Sequence, residues 1–213
     1  MHLIPSRHSI LIILLPLLLA ACRTTQVSQT EQPFTVILDA GHGGVDKGYE
    51  LHTTVTEANL VLELAQEIRQ QAETQGIRVL MTRTEDKEVS LQERKALAEG
   101  ITDGLFLSLH LQGASSVKQR GYLSIIHQDQ PNLEASTEWA TRFLKALQYF
   151  NPDVPTEQKE ATPRILSDLK IPAVHLDVGY LSNVEDRTQL QIAELRKELA
   201  RVLVEVLVEM KGE

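Results

Sequence analysis

Apolar positions in this chain come at two spacings, and the alternation between them predicts the fold. Short runs at 34–39, 77–81, 105–110 and 172–178, rich in leucine and β-branched residues, have the length and composition of buried strands. Between the first two, Leu60, Leu64 and Ile68 recur every four residues with Val61 and Ala65 beside them. That one-sided stripe predicts a helix over about 56–74, stopped by Gly76. Ser90-Leu91-Gln92-Glu93 has the form of a capping box and opens a second helix through about Glu99. Trp139, Phe143 and Leu147 mark a third over 133–150, and Leu195, Leu199, Leu203 and Leu207 mark a long final helix. Residues 121–128 read as a fourth strand, antiparallel and at an edge; 151–163, rich in proline and charge, read as loop. Strand and helix alternate through two successive strand–helix–strand units. The expected fold class is therefore α/β, a mainly parallel twisted sheet with helices on both faces, in a single domain over 34–213.

The first strand stops at a glycine-rich loop, Asp39-Ala40-Gly41-His42-Gly43-Gly44-Val45-Asp46-Lys47-Gly48. In an open α/β sheet ligands bind just beyond the carboxyl ends of strands, so His42 stands where chemistry is usually placed. The loop lacks the third glycine of a dinucleotide fingerprint and the Gly-Lys-Ser/Thr of a phosphate loop, and Asp46 would repel a phosphate. No nucleotide cofactor is expected. The glycines read as room for a bulky ligand to approach the backbone beside His42.

The amino-terminal segment belongs to a different class. Arg7 and His8 precede an apolar run over 10–19, too short to span a bilayer and laid out like a secretory signal. Leu19-Ala20-Ala21-Cys22 resembles the lipobox of bacterial lipoproteins, in which the cysteine becomes the lipidated first residue; the alternative is an ordinary cleavage site beside a chance cysteine. On the lipoprotein reading 1–21 is a signal peptide, Cys22 carries the lipid, and 22–33 is a polar tether spanning about 35 Å when extended. The chain is then exported and held by its amino-terminal lipid anchor to a membrane facing the cell wall, on the periplasmic side. Arg23, rather than Asp, after the cysteine favours the outer membrane where one exists. Because Cys22 is the single cysteine, no disulfide or cysteine nucleophile operates in the domain. The formal net charge of −8 becomes more negative once Arg7 is removed, which argues against nucleic acid as a partner.

Four polar residues fall at mutually consistent places. His42 and His110 lie at or just past the ends of two strands, Asp177 lies near the end of a third, and Glu57 opens the helix after the first strand. Two histidines, a glutamate and a further carboxylate on one sheet edge suit a catalytic zinc site with three protein ligands and a base beside it. Plainer readings exist for two of them: Glu57 can close a capping box from Thr54, although it heads the buried stripe of Leu60 and Val61, and His110 can be a hydrogen-bonded core histidine. His42, between glycines with little to pack against, is harder to dismiss.

The runs DAGHGGVDKG, TEANLVLELA, TRTEDKEVSLQERKALA, FLSLH and PAVHLDVGYLSN, in that order and spacing, resemble the zinc-dependent N-acetylmuramoyl-L-alanine amidases of bacterial cell-wall turnover. The resemblance implies one Zn2+ per chain on His42, Glu57 and His110. It implies peptidoglycan as substrate, cut at the amide between the lactyl group of muramic acid and L-alanine. It implies a catalytic role for Asp177, where the family has glutamate. Ala58 and Gln112 also depart from the family's lysine and asparagine. Aspartate is a methylene shorter, a retreat of roughly 1.5 Å, and a displacement of that order can cost about a hundredfold in rate. An anchored, wall-binding homologue with impaired turnover is thus the alternative. His175 shares a strand face with Asp177 and either orients it, lends a base, or is a buried histidine bonded to backbone. Arg83, Asp86 and Arg94 match the family and are expected to hold the loop before the second helix by ion pairs, with contact to substrate as the alternative. The segment 121–163 offers just the core-type helix over 133–150, so no self-blocking element is expected there.

Overall fold

The computed structural model describes residues 32–52 and 55–211. The signal segment, Cys22 and the tether as far as Glu31 lie outside the described residues. The elements run β1 (Thr35–Ala40), β2 (Glu50–His52), β3 (Val55–Thr56), α1 (Glu57–Thr74), β4 (Arg78–Met81), α2 (Leu91–Ala96) and β5 (Gly104–Gln112). They continue with β6 (Tyr122–His127), α3 (Leu133–Phe150), β7 (Thr156–Ala161), β8 (Ala173–Tyr180), α4 (Val184–Gln191) and α5 (Ala193–Met210). Six strands form one sheet in the order β4-β1-β5-β8-β6-β7, and β2 and β3 form a separate short hairpin. All neighbours in the large sheet are parallel except β6 and β8. The chain is thus a single-domain α/β fold with a mostly parallel sheet.

The two sheet faces are covered unequally. Val36, Leu38 and Ala40, with Leu105, Leu107, Leu109, Val174, Leu176 and Val178, point to the side packed by the apolar stripes of α1, α3 and α5. Successive strand residues alternate sides, so Ile37, Phe106 and Ala173 point the other way. There they meet Leu166, Leu169 and Ile171 and the partly buried Leu97, Ala98 and Ile101 just after α2. The long helices therefore share one face, and the short α2 with the segment 165–171 covers part of the other. Each wholly buried leucine or isoleucine contributes about 1.5–3 kcal/mol, so most of the apolar stabilisation lies on the long-helix side.

Three elements differ from the sequence pattern for identifiable reasons. β6 is antiparallel to β8 as expected but is not an edge, because β7 pairs beyond it. β7 lies within the stretch expected as loop; TEQKEA is almost wholly solvent-facing and carries no apolar period. Its charges also protect an otherwise open sheet edge from pairing with another chain. The carboxyl-terminal helix is two helices that part at Ile192, which is extended at φ −84° and ψ 119°. α4 is started by Asn183, whose side chain accepts from the amides of Glu185 and Asp186. Leu195 is exposed, and the buried stripe of α5 begins at Leu199.

Candidate metal centre

The face that carries Ile37, Phe106 and Ala173 changes character along its strands. Two residues on, Asp39 stands beside Ser108 and Ser108 beside His175. Two further, His110 stands beside Asp177, and Gly41 donates its amide to the Leu109 carbonyl at 3.1 Å. The amino half of this face is hydrocarbon and the carboxyl half is polar. The polar half lies on the thinly covered side, where the long helices do not bury it.

The glycine loop is held by buried cations. Arg94 reaches Asp39 Oδ1 at 2.7 Å, the Ala40 carbonyl at 2.8 Å and the His42 carbonyl at 2.6 Å. Arg83 donates to the carbonyls of Ala40 at 2.9 Å, Gly41 at 2.7 Å and Ala58 at 2.7 Å. Asp86 accepts from the Gly44 amide at 2.9 Å and from Lys47 at 2.6 Å. These residues were expected to brace the loop before α2 by ion pairs. They do hold that loop, Arg94 donating to the Val89 carbonyl at 3.0 Å and Arg83 to the Glu85 carbonyl at 3.3 Å. They also clamp the loop that carries His42, Arg83 acting throughout on carbonyls rather than on a carboxylate. The clamp matters because His42 sits at φ 60°, a left-handed conformation that costs a non-glycine residue about 1–2 kcal/mol. Asp39 is the buried counter-charge. Burial alone would raise its pKa, but the Arg94 charge and hydrogen bonds from Ser108, Arg94 and Thr82 hold it below the usual carboxylate range.

α1 begins one residue after its cap. The Thr56 hydroxyl accepts from the Asn59 amide at 3.2 Å, so Glu57 is the first helical residue; Thr54, the start of the alternative capping box, lies outside the described residues. From there Glu57 turns into the sheet edge. Its Oε1 lies 3.0 Å from His42 Nε2 and 2.8 Å from His110 Nδ1, and one donor atom from each of the three residues falls within 4.8 Å of the others. Oε1 also accepts from the Leu111 amide, and Oε2 from the Tyr49 amide, both at 3.0 Å. Burial disfavours the glutamate charge, yet the two imidazoles outweigh it and keep the carboxyl ionised well below its ordinary pKa. Burial lowers the His110 pKa, which favours the neutral ring. For His42 burial acts the same way, but the Glu57 and Asp46 carboxylates prevail and raise its pKa.

Two imidazole nitrogens and one carboxylate oxygen are the donor set of an open zinc-type site. Bonds of about 2.0–2.2 Å in a tetrahedron set donor atoms about 3.4 Å apart, so the side chains here would spread by a few tenths of an ångström to hold such an ion. His42 Nδ1 lies 2.8 Å from Asp46 Oδ2, the carboxylate-to-imidazole contact that commonly orients a ligand histidine. The sequence offered one signal for Asp46, a carboxylate four residues after His42 inside a turn, and it was read solely as a bar to phosphate.

The glycines serve this cluster itself. A Cβ on Gly41 would lie 2.2 Å from His110 Cε1, and one on Gly48 would lie 2.5 Å from Glu57 Oε2 and 2.6 Å from His42 Cδ2. The room expected for a bulky ligand is filled by the rings and carboxylate of the candidate ligands.

Asp177 lies outside this trio but adjoins it on the neighbouring strand. It is buried, and its Oδ1 is 2.9 Å from His175 Nε2. The His175 ring in turn stacks on His110, with centroids 4.3 Å apart and planes 12° from parallel. His175 therefore bonds to the Asp177 side chain rather than to backbone.

A family model described as N-acetylmuramoyl-L-alanine amidase matches residues 36–208. The "Probable cell wall amidase LytH" of Staphylococcus aureus is 31% identical over 175 residues, covering 81% of this chain and 57% of that protein. The chain thus spans little more than half the length of the curated relatives it matches. Among solved structures, the catalytic domain of the amidase CwlV from Bacillus (Paenibacillus) polymyxa var. colistinus superposes with a TM-score of 0.73 at 23% identity, over 83% of this chain and 97% of that one. AmiC2 of Nostoc punctiforme gives 0.76 at 20% identity, over 84% and 98%. These two likenesses concern the fold.

Proposed function

The chain belongs to the N-acetylmuramoyl-L-alanine amidase family, and on that premise we propose that it hydrolyses the amide between N-acetylmuramic acid and L-alanine in peptidoglycan, with zinc held by His42, Glu57 and His110. The observation that carries this reading is the convergence of those three side chains on one point at the carboxyl edge of the sheet. When bound there, zinc supplies Lewis acidity toward the scissile carbonyl and lowers the pKa of a water molecule.

The chain's own groups supply the rest. Neutral His110 and ionised Glu57 are disposed to bind a cation, while His42 gives up its proton on binding, which makes affinity fall at acid pH. Asp177 is the general base: it takes the proton of the attacking water and returns it to the departing L-alanine nitrogen. Its Oδ2 has no hydrogen-bond partner among the described residues, which leaves an acceptor for that proton.

The same reading places the protein beside the wall through a lipid on Cys22. Mass measurement of the mature amino terminus, and release of a Cys22→Ala protein from membranes, test that separately. For the activity, purified protein lacking residues 1–22 is assayed for zinc content and for release of free stem peptides from murein, before and after chelation. Stoichiometric zinc, peptide release lost on chelation, and recovery with added zinc are expected. Zinc without any release would favour the wall-binding alternative, and peptides cut within the stem would make the protein a peptidase.

A further inference from the structure

Asp177 is a buried carboxylate whose neighbours offer it almost nothing. On the β6 side it stands beside Leu123, and Ile125 stands beside His175. On the β5 side it stands beside His110, whose Nδ1 is taken by Glu57, and the hydroxyl of Ser108 is taken by Asp39. Among the described residues one group is left to satisfy it, the Nε2–H of His175, at 2.9 Å. An acceptor left unpaired there would be unfavourable, since a buried polar atom that loses its partner keeps the cost of leaving water. A carboxylate tied at one oxygen also loses its freedom to rotate out of position.

We infer that His175 is a positioning residue for the hydrolysis: by donating Nε2–H to Asp177 Oδ1 while lying flat on the His110 ring, it fixes the orientation of the short carboxylate relative to the metal ligand. The inference rests on the amidase reading and deepens it. Aspartate lacks a methylene that a glutamate would use to reach and brace itself, so a rigid partner two residues away takes over the bracing. The geometry also sets the tautomer, because a carboxylate oxygen accepts and Nε2 must carry the hydrogen.

His175→Phe and His175→Gln separate this role from simple packing. Phenylalanine keeps a flat ring on His110 and removes the donor; glutamine restores an N–H without the ring. With a soluble muropeptide, His175→Phe is expected to lower kcat about ten- to a hundredfold, with KM little changed. The visible spectrum of the cobalt-substituted protein should also stay unchanged, since the His110 environment is kept. His175→Gln should recover part of the loss. Independently of turnover, nitrogen NMR should find His175 of the wild-type protein in the Nε2–H tautomer and find that preference lost in Asp177→Ala. Wild-type kcat in His175→Phe, an altered cobalt spectrum accompanying its defect, or an Nδ1–H tautomer in the wild type would each overturn the assignment and leave the amidase reading intact. A wild-type protein that binds zinc yet releases no stem peptide would instead sink the amidase reading, and this role with it.

Discussion

Replacing Asp39 by asparagine tests whether the buried cation clamp under the glycine loop depends on one charge. Asp39 accepts from Arg94 at 2.7 Å, from the Thr82 hydroxyl at 2.7 Å and, through its other oxygen, from the Ser108 hydroxyl at 2.7 Å. Asparagine has nearly the same shape, and either hydroxyl can turn to accept from its amide, so the neutral hydrogen bonds largely survive. What disappears is the charge facing Arg94, which remains almost wholly buried with its guanidinium uncompensated. Removing one partner of a buried pair costs about 3–5 kcal/mol, a large part of the roughly 5–15 kcal/mol that holds a domain together. At about 2–4 °C per kcal/mol for this size, the melting temperature should fall by about 6–20 °C at pH 7. Circular dichroism melts and urea titrations measure both quantities. The pH dependence gives a second handle. The folded-state pKa of Asp39 is depressed, so its contribution is complete above the unfolded value of about 3.9 and is lost as pH falls through the folded value. The gap between wild type and Asp39→Asn should therefore narrow below about pH 4. A gap under about 1 kcal/mol at pH 7, well short of the cost of an orphaned buried charge, or one that stays constant into acid, would refute the reasoning. Because Arg94 also holds the His42 carbonyl, the variant should bind zinc more weakly even at temperatures where it is fully folded.

Two further substitutions act on the site directly. Gly41→Ala places a methyl inside the His110 ring position; dialysis against zinc should show binding lost while the circular dichroism spectrum keeps its α/β form, and retained stoichiometric zinc would show that the ring can move aside. Asp177→Glu restores the methylene the family pattern carries and should raise kcat by about tenfold or more if reach limits the rate; an unchanged or lower kcat would mean that the His175 contact has already adapted the site to aspartate.

The parts of this protein legible in its sequence are those governed by a period or by a strand end. The stripe Leu60–Leu64–Ile68 fixed α1, and Trp139–Phe143–Leu147 fixed α3 with its observed bounds. His42, Glu57, His110 and Asp177 were singled out because each falls at the carboxyl edge of the sheet or at the helix start facing it, and the structure brings the first three together. What stayed hidden is whatever depends on backbone groups meeting across the fold. β7 is held by ladder hydrogen bonds with no apolar side to announce it. Arg83 acts on the carbonyls of Ala40, Gly41, Ala58 and Glu85, which no residue pattern encodes. Asp39 looked like the polar end of an apolar strand, because its counter-charge lies 55 positions away on α2.

The arrangement of the site follows from strict alternation along β1, β5 and β8 and from the place where that alternation stops. Up to the His110–Asp177 pair, every second residue shares the site face. Immediately beyond it the register slips, so that Gln112 pairs with Tyr180 and β8 spends three steps against two on β5. Gly179, at φ 134°, sits in this irregularity, and a Cβ there would meet Asp186 Cβ at 2.9 Å. Asp186 holds the slipped strand by accepting from the amides of Tyr180 at 2.9 Å and Gly121 at 3.2 Å. Bulges of this kind re-aim a strand and increase its twist. Here the strand is turned away one residue after the carboxylate, so that no further side chain from β8 projects over Asp177 in regular succession. The polar half-face is thus bounded by hydrocarbon at one end and a bulge at the other. Within those limits the alternation leaves two polar rows, the braced Asp39–Ser108–His175 and, above it, His110–Asp177. The lower row contacts the upper: Ser108 donates to Asp39, Asp39 pairs with the Arg94 that holds the His42 carbonyl, and His175 bonds to Asp177 and stacks on His110.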